Sequence, residues 1–93
     1  MIASFRHKGL QRLFEHDDGR KIQPDLVPRL RRILIALDTA EQITELRLFP
    51  GWRLHRLRGE LQGNWSISVS GNWRVIFRFE EGDALDVDLM DYH

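Results

Sequence analysis

The chain has 93 residues, no cysteine, and 14 basic against 14 acidic side chains, so its formal net charge is zero. We expect one small domain, residues 1–93, and the lack of cysteine excludes both a disulfide framework and a cysteine-based metal site. No apolar run is long enough for a signal peptide or for the ~20 residues of a membrane span, which predicts a cytoplasmic protein with no membrane partner.

Charge is unevenly distributed along this neutral chain. Residues 1–58 hold 12 basic and 7 acidic side chains, whereas residues 59–93 hold 2 and 7. A basic first part can face an anionic partner, but ordinary solvated charge on helices explains the same pattern, so both interpretations stay open here.

The N-terminal part predicts a short strand and a helix. Residues 1–6 are interpreted as a strand with Ile2 or Phe5 facing inward. Residues 7–16 have helical spacing of their apolar side chains, and Gly19 is expected to end this helix as its left-handed cap.

A second helix gives the clearest helical pattern in the chain. It begins at about Leu26 with Asp25 as its N-cap, and its opposite side carries Arg29, Arg31 and Arg32. These arginines either contact RNA or a partner, or form a solvated face. Residues 39–42 match a capping box, which predicts a short third helix through Leu46.

The second half predicts an antiparallel sheet. Residues 53–58 form a first candidate strand with imperfect alternation, and residues 59–64 a loop. Three later runs alternate apolar and polar residues, as half-buried strands do. Their apolar faces are Trp65, Ile67 and Val69, then Trp73, Val75, Phe77 and Phe79, then Leu85, Val87 and Leu89. Helices followed by such a sheet predict an α+β fold, with two to three N-terminal helices packed on an antiparallel β-sheet.

The register of the first hairpin follows from its two faces. A three-residue loop, residues 70–72, pairs Val69 with Trp73. It also pairs Ser68 with Arg74, so that apolar residues meet apolar ones and polar residues meet polar ones. Arg74 is therefore expected on the face opposite the aromatic core residues.

The sequence contains no phosphate-binding glycine loop, no zinc spacing and no nucleophile elbow, so we expect neither a cofactor nor a metal. Metal-free cleavage of RNA needs three groups: a base for the 2′-hydroxyl, an acid for the 5′-oxygen and a cation for the phosphorane. Histidine, arginine, aspartate and tyrosine near the sheet supply candidates for all three.

His93, with Asp91 and Tyr92 before it, suits proton transfer near neutral pH, although a chain end is often frayed. Tyr92 stacks on a base or closes the core edge. His55 and Arg58 lie three residues apart, so they serve one site only if a bend or bulge falls between them or if Arg58 already belongs to the loop.

Arg74 has two interpretations of equal weight. It clamps a phosphate, or it covers apolar surface and pairs with Asp86 or Asp88 across the sheet. Asn72, two residues earlier, is fully explained by turn chemistry but lies where it can also contact a nucleotide.

Several segments together resemble one protein family. They are MIASFRHKGLQRLFE, LDTA, RLFPGWRLHRLRG, WSISVSGNWRVIFRF and the closing DYH, in this order and spacing. They are similar to the HigB-like toxins, also called plasmid-maintenance killer proteins, of the RelE superfamily. The resemblance covers nearly the whole chain and implies a RelE-like microbial ribonuclease fold.

The resemblance also implies a function. Such a toxin enters the ribosomal A site and cuts mRNA during translation, and a cognate helix-turn-helix antitoxin of the HigA type neutralises it. The implied catalytic residues are His55, Arg74, Asp91, Tyr92 and His93, and the implied RNA-binding residues are Arg58 and Asn72. Arg58 stands where the family often has lysine, and an arginine stabilises charge but does not readily give up a proton.

A different class of function is kept as the alternative. In it, the same fold is a non-catalytic protein-binding module that complexes an antitoxin and tunes its DNA binding.

Overall fold

A computed structural model describes residues 1–91, and its elements follow the predicted order. Two α-helices, α1 (Lys8–His16) and α2 (Val27–Thr39), precede four strands, β1 (His55–Arg56), β2 (Trp65–Ser70), β3 (Trp73–Glu80) and β4 (Asp83–Asp91). The strands form one antiparallel sheet in the order β1-β2-β3-β4. The predicted α+β fold, with helices packed on an antiparallel sheet, is confirmed.

The first helix begins and ends with polar side chains. His7 caps its start, because the His7 Nδ1 accepts a hydrogen bond of 3.1 Å from the Leu10 backbone N–H. At its end Asp17, not the predicted Gly19, adopts the left-handed conformation, with φ of 55°. Aspartate tolerates this region better than most residues. Gly19 instead allows close approach, because a Cβ there would lie 3.2 Å from the Val27 side chain.

The second helix starts without the predicted side-chain cap. A 3₁₀ turn, Pro24–Leu26, leads into it, and Asp25 accepts a hydrogen bond from the Gln23 side chain instead of capping α2. Pro28 fits because the first turn of a helix has no intrahelical use for its N–H.

The third helix is a 3₁₀ helix, Ile43–Leu48, and its capping residues are shifted from the prediction. Thr39 belongs to the last turn of α2, where its hydroxyl donates to the Ile35 carbonyl. The Glu45 carboxylate accepts from the backbone N–H groups of Gln42 and Glu41. The box therefore begins three residues later than predicted.

The N-terminal segment lies along β4 without forming a continuous strand. Two isolated parallel bridges, Ile2 with Ala84 and Phe5 with Val87, replace the predicted strand over residues 1–6. Both Ile2 and Phe5 are half-buried against the core, as the sequence predicts for one or the other.

The first strand is shorter than residues 53–58. Arg53 has a φ of 49°, which interrupts the extended backbone, so the strand comprises only His55 and Arg56. A further 3₁₀ turn, Gly59–Leu61, follows. Leu54 still joins the main core, while Leu57 is buried separately from it.

The β2–β3 hairpin confirms most of its predicted register. Ser68 faces Arg74 and Ile67 faces Val75, but Trp73 pairs with Ser70 and not with Val69. A bulge between Ser68 and Ser70 absorbs one extra residue. The turn itself is thus two residues long, and the bulge restores the two faces that a regular two-residue loop would exchange.

A second bulge shifts the phase of β4. Asp86 has a φ of 52° beside the register shift between β3 and β4. Consequently Leu85, predicted in the core, lies opposite Arg78, and Ala84 is fully buried in its place. Val87 is buried and Leu89 packs against the core, as predicted.

The core lies between the helices and one face of the sheet. Its largest fully buried side chains are Leu10, Leu26, Leu30, Ile33, Leu34, Leu37, Leu46, Ile67, Val69, Val75, Phe77 and Val87.

Candidate active site on the outer face of the sheet

The face of the sheet that points away from this core, here called the outer face, carries two rows of opposed residues. Residues directly opposite one another in antiparallel strands share a face. One row runs through His55, Ser66, Ile76 and Asp88, and the next through Ser68, Arg74 and Met90. The structure therefore brings His55 and Arg74 to the same face.

The separation of these two residues suits a substrate between them. They lie two strands and two positions apart, so sheet spacings place their Cα atoms about 12 Å from each other. His55 is exposed and Arg74 is half-buried, whereas Ser66 and Ile76 between them are buried. The long arginine side chain can approach a group held above the centre of the face.

Arg74 is oriented by its own hairpin. Its Nη1 donates to the Gly71 carbonyl at 2.8 Å and to the Trp73 carbonyl at 3.1 Å. This holds the guanidinium beside the turn that contains Asn72. The alternative interpretation, a pair with Asp86 or Asp88, is not formed by Arg74, because its neighbour on β4 is Met90 and because Arg78 lies 3.3 Å from Asp86.

Arg58 meets the condition under which it and His55 can serve one site, which is that Arg58 already belongs to the loop after the strand. The strand ends at Arg56, so Arg58 belongs to the following loop, where it precedes the 3₁₀ turn Gly59–Leu61. It lines an open hollow of about 420 Å³ with Arg56, Leu57 and Gln62.

Arg56 is a site candidate that the sequence interpretation missed. Its guanidinium carbon lies 5.5 Å from the centre of the Trp65 ring, within cation–π range. The signal was present in the sequence, because Arg56 and Arg58 flank a buried leucine and so approach the same hollow.

Asp91 is placed differently from the other site candidates. It is exposed at the end of β4 and pairs with Trp73, so its backbone position belongs to the face opposite Arg74. Tyr92 and His93, the other two residues of the predicted C-terminal group, lie outside the described residues. The structure thus groups His55, Arg58, Asn72 and Arg74 around the outer face and its rim.

Residues 1–91 contain neither a cluster of metal ligands nor a helix that could cross a membrane. Within this part of the chain, no three histidine, cysteine or acidic side chains are close enough together to hold a metal ion. No described helix combines the length and the apolar character needed to cross a membrane.

Sequence comparisons identify similar proteins over the full length. A family model described as the RelE-like toxin of the type II toxin-antitoxin system HigB matches residues 3–93. The chain is 44% identical over 93 residues to "Endoribonuclease HigB" of Proteus vulgaris, covering 100% of both chains. It is 36% identical over 90 residues to "Toxin HigB-1" of Vibrio cholerae serotype O1, covering 96% of this chain and 95% of that one.

Comparison of folds gives similar solved structures at much lower identity. Two structures of the YoeB-YefM complex from Staphylococcus aureus, one described as heterotetrameric, contain chains that match with TM-scores of 0.58 and 0.63. Each is 12% identical, and the match covers 100% of this chain and 98% of the other. At this identity the likeness concerns the fold alone.

Proposed function

Because the chain belongs to the family of HigB-like toxins, the RelE-like toxins of type II toxin-antitoxin systems, we propose that it is an endoribonuclease that cleaves mRNA on the translating ribosome. The full-length identity of 44% to a protein named an endoribonuclease supports the enzymatic part. The ribosome and mRNA as partners, and the A site as the place of cleavage, follow from the family resemblance.

One structural observation carries this proposal. The outer face of the sheet presents His55 and Arg74 about 12 Å apart, the distance expected from sheet spacings, and a second arginine, Arg58, lies in the loop that follows the strand of His55. The arginine on β3 is held by two backbone carbonyls. A phosphate between His55 and Arg74 would therefore meet a proton-transfer group on one side and a fixed cation on the other.

The proposed reaction is attack of the 2′-hydroxyl on the adjacent phosphorus. The bond from phosphorus to the 2′-oxygen forms, the bond to the 5′-oxygen breaks, and the products are a 2′,3′-cyclic phosphate and a 5′-hydroxyl. A base takes the 2′ proton and an acid protonates the departing 5′-oxygen. Neither step requires a metal ion or a cofactor.

The roles are divided between the outer face and the chain end. His93 activates the 2′-hydroxyl, with Asp91 as its partner in the C-terminal group, and His55 serves as the acid. Arg74 and Arg58 hold the scissile phosphate and stabilise the phosphorane charge. Tyr92 and Asn72 orient the nucleotide.

The partner that neutralises the toxin is an antitoxin, as its family requires. We propose that this antitoxin is a helix-turn-helix protein of the HigA type and that both proteins act in the cytoplasm. The alternative of a non-catalytic module is not favoured, because the relative at 44% identity is named for ribonuclease activity.

The proposed function is tested by mapping mRNA ends in bacteria after induction. Wild type and Arg12→Ala, a control on α1, should arrest growth and produce new 5′ ends within translated regions. Arg74→Ala should produce these ends at a rate lower by about 10²-fold or more, the loss typical of a transition-state donor. Equal cleavage by wild type and Arg74→Ala, both folded, would remove Arg74 from the mechanism, and no cleavage by wild type would overturn the proposed function.

A further inference from the structure

The helix layer exposes large apolar side chains that the proposed active site does not use. Ile35 on α2 is 60% exposed, Leu48 is 79% exposed and Phe49 is 41% exposed. Phe49 stacks on Trp52, with ring centroids 4.0 Å apart and an angle of 11° between the planes. A cluster of exposed aliphatic and aromatic side chains of this kind is typical of an interaction surface.

Ile35 and Phe49 border a depression, here called the helix-layer groove. It consists of two hollows that share Ile35. One is lined by Leu13, Phe14, Asp17, Arg31, Leu34 and Ile35. The other, about 400 Å³, is lined by Arg32, Ile35, Ala36, Thr39, Phe49, Pro50 and Trp52. The groove therefore runs across α2, from α1 to the segment before β1.

The charged residues of the groove give it a positive character. Arg31 and Arg32 line its two halves, and Arg29 lines an adjoining hollow together with Arg32 and Trp52. Asp17 is the acidic lining residue, and it forms an ion pair with Arg31. An occupant with carboxylates beside apolar side chains would complement both properties of the groove.

Three classes of occupant can be compared on this chemistry. RNA would use the arginines and the stacked aromatic rings, but it gains little from exposed Ile35 and Leu48. A second copy related by a twofold axis would place one positively charged groove against another, which is unfavourable. A protein segment with apolar and acidic side chains fits both features.

We propose that the helix-layer groove is the docking surface for an acidic amphipathic segment of the antitoxin. This inference rests on the proposed function, because the chain has an antitoxin as its partner only if it acts as a toxin of a toxin-antitoxin system. Apolar side chains of the segment fill the two hollows on either side of Ile35, and its carboxylates pair with Arg32. Ile35, central and exposed, is the expected energetic centre of the interface.

The position of the groove makes the proposal separable from catalysis. The part of the groove around Ile35 lies on the helix layer, whereas His55 and Arg74 lie on the outer face of the sheet. Arg32 lies nearer the sheet, because the adjoining hollow that it lines reaches Ser68, the residue opposite Arg74. Substitution of Ile35 should therefore weaken antitoxin binding while cleavage of mRNA continues at the wild-type rate.

The experiment uses the full chain and the protein encoded by the gene beside its own. Dissociation constants are measured for wild type, Ile35→Glu and Arg32→Glu, with Thr44→Glu and Lys21→Glu as exposed controls that introduce the same charge outside the groove. Cleavage of translated mRNA and thermal unfolding are measured on every variant. Ile35→Glu should weaken binding by about 30-fold or more, as loss of an interface hot spot does.

Each result supports or overturns the proposal. Weaker binding by both groove variants, with normal binding by the controls and unchanged cleavage by Ile35→Glu, supports it. Wild-type binding by Ile35→Glu overturns it. Normal antitoxin binding with reduced cleavage on ribosomes overturns it in favour of an RNA surface. No complex with wild type also overturns it, and this failure differs from failure of the proposed function, because mRNA cleavage is measured independently.

Salt dependence tests the charge of the occupant. If carboxylates of the antitoxin face Arg32, wild-type binding weakens as the salt concentration rises, and Arg32→Ala shows a smaller salt effect. Equal salt dependence of wild type and Arg32→Ala would contradict an acidic occupant.

Discussion

His55 is exposed, and few other residues depend on it for their packing. It lies on a two-residue strand at the edge of the sheet, opposite Ser66. Exposed residues of this kind contribute little to stability, usually within about 0.5 kcal/mol. Its role in the site can therefore be tested without unfolding the protein.

We predict that His55→Ala lowers the cleavage rate on translated mRNA by about 10²- to 10⁴-fold, the usual contribution of a general acid or base. The melting temperature should change little. His16→Ala, an exposed histidine in the last turn of α1, is the matched control and should cleave normally. Cleavage by His55→Ala at the wild-type rate would show that another group donates the proton.

The positions of some site residues could be predicted from the sequence, and those of others could not. Arg74 was predictable, because strand alternation fixes its face relative to Val75. Arg58 depended on where β1 ends, and the chain leaves the strand after Arg56 for a 3₁₀ turn that starts at the left-handed Gly59, which no apolar pattern reveals. Arg56 was missed because its contact with Trp65 depends on the register between β1 and β2, which the imperfect alternation of residues 53–58 does not fix.

At the scale of elements, the β2–β3 hairpin connects stability to the site. Gly71 has a φ of 55°, and its carbonyl accepts a hydrogen bond from Arg74. A Cβ at Gly71 would meet open space, because apart from the adjacent residues of the chain no atom of residues 1–91 comes within 4 Å of that position. The effect of a substitution at this position is therefore conformational and not steric.

We predict that Gly71→Ala lowers the free energy of unfolding by roughly 1–2 kcal/mol, the cost of a left-handed L-residue. Gly71→Asn should cost less, because asparagine tolerates this region. Urea unfolding measures both, and Ser70→Ala, an exposed neighbour, is the control. If alanine and asparagine cost the same, the left-handed conformation of the turn is not what governs this position.

The loop after α1 gives a prediction about pH. The Arg20 side chain and backbone N–H both donate to Asp18, and Arg12 lies 3.4 Å from it, which holds the pKa of Asp18 well below its usual range. A lowered pKa in the folded state means that the stabilisation is complete above the unfolded pKa of about 3.9 and is lost as the pH falls below it.

Asp18→Asn should therefore melt at a lower temperature than wild type at pH 7, and this difference should shrink as the pH is lowered below about 4. Thermal unfolding between pH 7 and pH 3 measures the two curves, with Asp25→Asn as the control. A difference that stays constant over this range would mean that the Asp18 charge does not stabilise the fold.

The elements themselves were largely predictable, but their irregularities were not. Apolar periodicity gave both helices and three strands, because burial on one face dictates it. The bulges near Val69 and Asp86 each add one residue to a strand. The position of a bulge becomes visible only in the pairing with the partner strand. That is why Leu85 was assigned to the core in place of Ala84.

For the whole molecule, the two layers separate the proposed activities. The outer face of the sheet carries the cleavage candidates, while the helix-layer groove carries apolar and basic side chains. The balanced net charge of the chain conceals this arrangement, because the arginines of the groove come from α2 and the last third of the sequence is rich in carboxylates. The charges of residues 1–58 and 59–93 indicated an uneven charge distribution, but only the fold shows which surface carries the basic side chains.

The N-terminal segment holds the layers together along β4. Within the described part of the chain, five backbone hydrogen bonds join residues 1–7 to Ala84 and Val87, and the Ile2 N–H donates to Asp38 on α2. The segment also covers part of the edge of β4, and an uncovered edge strand readily pairs with another chain. Removing residues 1–6 loses all of these hydrogen bonds except the one from the His7 N–H. At about 1 kcal/mol each, the lost bonds amount to several of the ~5–15 kcal/mol typical of a domain.

We therefore predict that a variant that starts at His7, after an initiating methionine, melts at a much lower temperature and self-associates through β4. Thermal unfolding and light scattering after gel filtration measure the two effects. Ala3→Ser, which keeps the backbone and alters an exposed side chain, is the control and should behave like wild type. A monomeric variant with the wild-type melting temperature would show that β4 is stable without this cover, and that α1, α2 and the sheet hold together through the core alone.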